Sequence, residues 1–192
     1  MNYLLDLLQG AGLAAANGIR PFLPAVLAGL LASANLGLDF DGTTVAFMES
    51  PLFLGLLTAA AIGVIAGRAA FETSAGAAIL GAVSIAFAAL LAVGSVDDRA
   101  STWWPMLPVA ALCAALGFVV SRSVLTRVRS RLDDDDAAGA LPLYAEAIAV
   151  AVAGLSILFP PLALVALGLL IRLQLGGQRR KGEKYAGLRI LR

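Results

Sequence analysis

Residues 10 to 24 read GAGLAAANGIRPFLP, and this stretch interrupts the first apolar segment of the chain. Its glycines and alanines permit close contact between helices. Proline excludes the preceding residue from the helical region and has no backbone donor, so Pro21 predicts a break in the helix. The apolar segment 3–36 is too long for one membrane span. We therefore expect two legs of about 14 to 16 residues, roughly 21 to 24 Å each.

The last apolar segment, residues 142–176, has a similar interruption at Phe159-Pro160-Pro161. Its two legs are also expected to fall short of the ~30 Å hydrocarbon layer. Each end of the chain is therefore predicted to be either a re-entrant helical hairpin or a pair of short, tilted spans.

Three simple spans are predicted between these ends, over residues 51–68, 73–94 and 105–126. Each is close to the ~20 residues that a crossing helix needs. Each also begins at a helix-start signal, namely Ser50-Pro51, Thr73-Ser74 and Trp104-Pro105. The second span is rich in small residues, which predicts a position in the middle of the bundle.

The composition supports an all-α, polytopic membrane protein. The chain has 192 residues, of which 60% are hydrophobic and 14% charged, and its mean hydropathy is +0.88. A water-soluble fold of this size would expose too much apolar surface. The sequence divides into one transmembrane domain, 1–176, and a basic tail, 177–192.

Basic residues predict the orientation, because they concentrate on the cytoplasmic side of membrane proteins. One group of basic residues flanks the third simple span: Arg122, Arg127, Arg129, Arg131. The other follows the last hairpin: Arg172, Arg179, Arg180, Lys181, Lys184, Arg189, Arg192. The C-terminus is therefore expected in the cytoplasm. Counting back through the spans places the N-terminus outside.

The break at Asn17, Gly18, Arg20 and Pro21 is the strongest candidate for a binding site. A helix that starts inside the membrane presents unpaired N–H groups and the positive end of its dipole, and Asn17 and Arg20 add side-chain donors. These features predict an anion site at a discontinuous helix, as in many transporters. The alternative is that both legs are short spans and that Arg20 is an ordinary cytoplasmic residue in a turn.

Two carboxylates are candidate proton carriers or counter-ions to Arg20. Glu146 lies just inside the last hairpin, where the competing interpretation is a first-turn Glu that stabilises a helix N-terminus. Glu72 lies one turn beyond Arg68, where a local ion pair is the competing interpretation.

No metal, cofactor or enzyme chemistry is predicted. Histidine is absent and Cys113 is the only thiol, which removes the commonest zinc ligands and the usual general base. The run Asp133 to Asp136 cannot converge as the spaced ligands of a calcium loop do, so we interpret it as a solvated loop. No nucleophile–base pair is visible.

The segment GAGLAAANGIRPFLPAVLAGLLA resembles a bacterial membrane family known as domain of unknown function 4126. Members of that family open with a similar G-x-GLAAA-x-G pattern followed by a proline, and the resemblance lies mainly over residues 1–36. It implies a helical fold in a bacterial inner membrane and no mechanism. Where the family has several acidic residues and a proline after the next span, this chain has RAAFETSAGA, with Glu72 alone.

Together these features predict a small inner-membrane transporter or lipid translocase with an anion site at residues 17–21. Its expected partners are membrane lipids and an anionic small molecule or lipid headgroup, and not nucleic acid. One chain of five to seven passes encloses little volume, which favours a homodimer. The alternative is a non-catalytic subunit or scaffold that packs against partner helices.

Overall fold

The computed structural model describes residues 3–67, 73–97, 103–132 and 135–186. Over these ranges the chain forms seven α-helices and no strand, which confirms the all-α class. The helices are α1 (Tyr3–Ile19), α2 (Leu23–Ser33), α3 (Pro51–Ala66), α4 (Ser74–Asp97), α5 (Met106–Arg129), α6 (Asp135–Leu158) and α7 (Leu162–Ala186). One 3-10 turn, Ala46–Glu49, precedes α3.

Within the described ranges, three helices are long and apolar enough to cross a membrane. They are Ser74–Val96, Met106–Arg129 and Gly139–Leu158, with mean hydropathies of 2.4, 1.9 and 1.9. The predicted spans 73–94 and 105–126 thus correspond to α4 and α5. The predicted span 51–68 corresponds to α3, which has 16 residues and, at about 24 Å, is shorter than the hydrocarbon layer.

The helix-start signals act as expected at α3 and α4. The Ser50 hydroxyl accepts the N–H of Phe53 (3.3 Å), and the Thr73 hydroxyl accepts the N–H of Gly76 (3.1 Å). Each side chain therefore satisfies one of the N–H groups that have no partner in the first turn of a helix.

The two chain ends are built differently from each other. In the first, α1 has 17 residues and α2 has 11, so α2 is clearly short. In the second, α6 begins at Asp135 and continues through Pro142, so its apolar part is long enough to cross a membrane by itself. The expectation of a short first leg after residue 142 is wrong, because α6 continues through Pro142, which lies two turns inside it and removes one backbone hydrogen bond without ending the helix. The predicted tail begins inside α7, which continues to Ala186.

Helix α1, and not α4, is the central element of the bundle. Residues 10–18 of α1 are all buried, and the helix packs against α4, α5, α6 and α7. Small residues on every side of α1 let helices surround it. In α4 the outer face carries Ile79 and Ile85, which are exposed, so the prediction that this span lies in the middle is wrong.

Helix α1 runs antiparallel to α4 and α6 and parallel to α5, which gives the bundle two ends. The start of α1 lies near the ends of α4 and α6, because Gly10 faces Ser95 and the Gln9 amide donates to the carbonyl of Ile157 (3.4 Å). The end of α1 lies against the middle of α5, around Ala114 and Gly117, and beside Glu146 of α6. We call the end of the bundle that holds the start of α1 the Trp103 end, and the opposite end the Arg127 end.

Candidate functional site

The break between α1 and α2 covers residues 20–22, so it includes Arg20 and Pro21 of the predicted site but neither Asn17 nor Gly18. Asn17 and Gly18 are still helical, and the N–H of Arg20 donates to the carbonyl of Ala16 (3.1 Å). Gly18 does not have a positive φ, so its backbone conformation does not require a glycine. It is needed for packing, because a Cβ there would overlap the carbonyl of Ala114 in α5.

Pro21 is buried in the linker and does not begin the second helix. Helix α2 begins at Leu23, with Pro24 in its first turn and no side-chain cap. Proline has no N–H, so this helix start presents fewer backbone donors to an anion than we expected. Any anion recognition at the break must rest mainly on side chains.

Arg20 forms an ion pair with Glu146 of α6. The Nε of Arg20 lies 3.5 Å from Oε1 of Glu146, and the side chains are only 18% and 12% exposed. The structure thus brings together two of the predicted site residues from opposite ends of the chain. The Nε atom is buried and makes no hydrogen bond within the described residues, so this donor is not satisfied by the pair.

The pair lies inside the apolar part of the bundle near its Arg127 end. Glu146 is seven residues beyond Gly139, where the apolar part of α6 begins, which is about 10 Å along the helix axis. On α5, Gly117 packs against the end of α1 and lies five residues before Arg122, or about 8 Å. Both helices therefore place the pair within about two turns of the point where their apolar parts end.

Asn17 places an unsatisfied acceptor one turn before Arg20. Its side chain is fully buried, and its amide nitrogen donates to the carbonyl of Leu13 (3.0 Å). Its Oδ1 atom has no hydrogen-bond partner in the described part of the chain. A buried polar atom without a partner is uncommon and calls for an explanation, such as a bound polar group.

Other polar residues lie away from the Arg20–Glu146 pair or outside the described residues. Glu72 and its neighbour Arg68 fall outside the described residues. Asp6 and Gln9 are buried near the Trp103 end, where the Gln9 amide also donates to the carbonyl of Gly37 (2.7 Å). That bond ties the start of α1 to the loop that follows α2.

Three carboxylates cluster in that same loop. Single oxygen atoms of Asp39, Asp41 and Glu49 lie within 4.8 Å of one another, so the group could hold a cation. Two of them already accept hydrogen bonds from the backbone. Asp39 accepts the N–H of Asp41 (2.9 Å), and Glu49 accepts the N–H of Phe40 (2.6 Å). These bonds explain the cluster as a means of ordering the loop.

Comparisons of this chain with protein-family models, with curated proteins and with solved structures gave no match. The resemblance over residues 1–36 therefore stays a prediction.

Proposed function

We propose that this protein is a small membrane transporter or lipid translocase in which Arg20 binds an anionic group in competition with Glu146. The observation that carries the proposal is the shielded Arg20–Glu146 ion pair beside a helix break. Charged residues within apolar bundles are costly, and they commonly mark pathways for substrates or protons.

Competition for Arg20 would couple an anion to a proton. An arriving anion that pairs with the guanidinium displaces the Glu146 carboxylate. A displaced carboxylate in an apolar setting is strongly destabilised unless it takes up a proton. Anion binding would therefore be accompanied by proton uptake at Glu146.

Asn17 would supply a second contact to the same ligand. Its unsatisfied Oδ1 accepts a hydrogen bond from a hydroxyl or ammonium group, whereas Arg20 donates to the anionic group. The ligand class is thus an anion that also carries a polar donor, as many phosphorylated headgroups do. We propose that the Arg127 end faces the cytoplasmic side of a bacterial inner membrane, because the arginines of α5 lie at that end of the bundle.

The test uses the full chain in liposomes that contain a pH-sensitive dye. Gradients of phosphate, acetate and succinate are applied one at a time, and fluorescent phosphatidylglycerol reports lipid movement. Arg20→Ala should abolish the movement of the transported species, whereas Glu146→Gln should retain it and lose the proton signal. Arg172→Gln, an exposed charge change on α7, serves as control. Unchanged activity in Arg20→Ala contradicts the proposal.

One observation favours helix–helix association through α3, either with a partner protein, as in the alternative function of a subunit or scaffold, or with a second copy of this chain. Gly55, Ala59 and Gly63 are exposed at four-residue intervals on α3, and no atom lies within 4 Å of a Cβ built on either glycine. Small residues at this spacing allow two membrane helices to approach closely. A Gly55→Leu/Gly63→Leu variant tests this association. If the variant loses a co-purified partner or the dimer, and neither it nor the unmodified protein shows transport, the alternative is favoured.

A further inference from the structure

A pocket of about 460 Å³ lies between α5 and α7 at the Arg127 end. This volume falls in the range of small-molecule sites, roughly 300–1,000 Å³. Its walls include two arginines, two polar side chains and two apolar ones, which are Arg122, Arg127, Ser123, Gln174, Phe118 and Val119. The pocket is formed by other residues than the Arg20–Glu146 pair.

The two arginines of the pocket are held in place by neighbours that do not neutralise them. The Arg122 guanidinium lies over the Phe118 ring, 5.5 Å from its centroid. Arg127 donates from Nε to the carbonyl of Ser123 (2.9 Å) and from Nη2 to its hydroxyl (3.4 Å). Within the described residues neither arginine forms an ion pair with a carboxylate. Because arginine has five donors, at least three N–H groups of Arg127 remain for a ligand.

The pocket lies at the level where the apolar parts of its two helices end. Arg122 is the first charged residue of α5, and Arg172, just before Gln174, is the first of α7. Phe118 and Val119 precede Arg122 by about one turn and form the apolar side of the pocket. A charged region next to an apolar wall at this depth matches the transition from headgroup to acyl chain in a bilayer.

We propose that this pocket binds the phosphate group of an anionic phospholipid. The planar guanidinium groups of Arg122 and Arg127 match the paired oxygens of a phosphate. The first carbons of the acyl chains pack on Phe118 and Val119. A free phosphate offers the same oxygens but leaves the apolar wall without a partner, so the lipid is the better fit.

The first experiment measures lipid binding to the purified full chain in a neutral detergent by native mass spectrometry. Phosphatidylglycerol is compared with net-neutral phosphatidylcholine. Arg122→Gln/Arg127→Gln should weaken phosphatidylglycerol binding by about tenfold, as expected for lost charge-assisted hydrogen bonds. The control Arg129→Gln/Arg172→Gln removes the same charge outside the pocket and should change binding by under about twofold.

Three outcomes would overturn the assignment. Equal loss in both double variants would indicate attraction to the whole basic surface, and equal binding of the two lipids would exclude charge recognition. Displacement of phosphatidylglycerol by millimolar inorganic phosphate would assign the pocket to free phosphate.

A second experiment keeps both arginines and so does not depend on the folding of the variants. A photoreactive phenylalanine replaces Val119 at the pocket, or Leu112 two turns earlier on α5, where the side chain is 72% exposed. In bilayers of mixed lipids, the probe at position 119 should capture phosphatidylglycerol in excess of its share of the bilayer. The probe at position 112 should capture lipids in proportion. Proportional capture at both positions would overturn the proposal.

Discussion

Gly18 of α1 lies directly against the backbone carbonyl of Ala114 in α5, with no room between them for a Cβ atom. The contact is reciprocal, because a Cβ on Gly117 of α5 would overlap the carbonyl of Ala15. This crossing holds the end of α1, and with it Arg20, close to the middle of α5.

Gly18→Ala is therefore expected to destabilise the protein. An added methyl group in a tight contact costs about 1–3 kcal/mol, and here its neighbour is backbone, which cannot move aside alone. Gly63→Ala on α3 is the control, because nothing lies within 4 Å of its Cβ position. The midpoint of thermal unfolding in detergent should fall for Gly18→Ala only. Equal midpoints would contradict the close crossing.

Arg20→Gln and Glu146→Gln should each destabilise the fold. The double variant should be destabilised by less than the sum of the two single effects. A single change leaves one charge unpaired in an apolar region, whereas the double change removes both. We expect a coupling free energy of about 1–3 kcal/mol, the range for residues in direct contact. The four proteins are compared by denaturant unfolding. Additive effects would mean that the ion pair is not maintained in the membrane protein.

Asn17→Leu should separate stability from function. The substitution replaces a fully buried amide with an unsatisfied oxygen by an apolar side chain of similar size, so unfolding should be unchanged or more difficult by about 1 kcal/mol. Transport should be lost, since the second ligand contact disappears. Asn17→Asp is the comparison, because it buries a charge and should be destabilising. A fully active Asn17→Leu variant would remove Asn17 from the proposed site.

The position of the break can be tested by cysteine labelling in a Cys113→Ala background. Phe22 packs edge-on against Phe87 of α4, with ring centroids 5.9 Å apart, so a cysteine at position 22 should be shielded from water. It should react more slowly with a membrane-impermeant maleimide than a cysteine at exposed Ser130, because the reactive form is the solvated thiolate. Equal labelling rates would place the break at the water boundary.

Most of the secondary structure was predictable from local signals. The helix starts at Pro51 and Ser74 follow from proline and a capping hydroxyl, and both proline breaks occur. The extent of α6 was not predictable in this way, because the helix runs through Pro142, where local rules favour a break, and begins two turns earlier at Asp135.

The candidate site was only half predictable. Arg20 and Glu146 stand out in the sequence because each is a charge within an apolar segment, and their pairing could be suggested but not established. The pocket beside Arg122 and Arg127 was missed, because these arginines were interpreted only as markers of orientation. Phe118 stacked under Arg122 gives no signal in the sequence.

The sequence by itself determined that the chain is helical and suited to a membrane, where α3 and α4 begin and that prolines interrupt its first and last apolar segments, since these properties depend on hydropathy, proline and capping groups close in the chain. Only the tertiary structure decided that α1 is central, that Arg20 meets Glu146, and that α5 and α7 enclose a basic pocket. The physical reason is that lipid satisfies an apolar helix face as well as a neighbouring helix does. Hydropathy therefore cannot identify which faces meet, and close fits such as Gly18 on Ala114 make that choice.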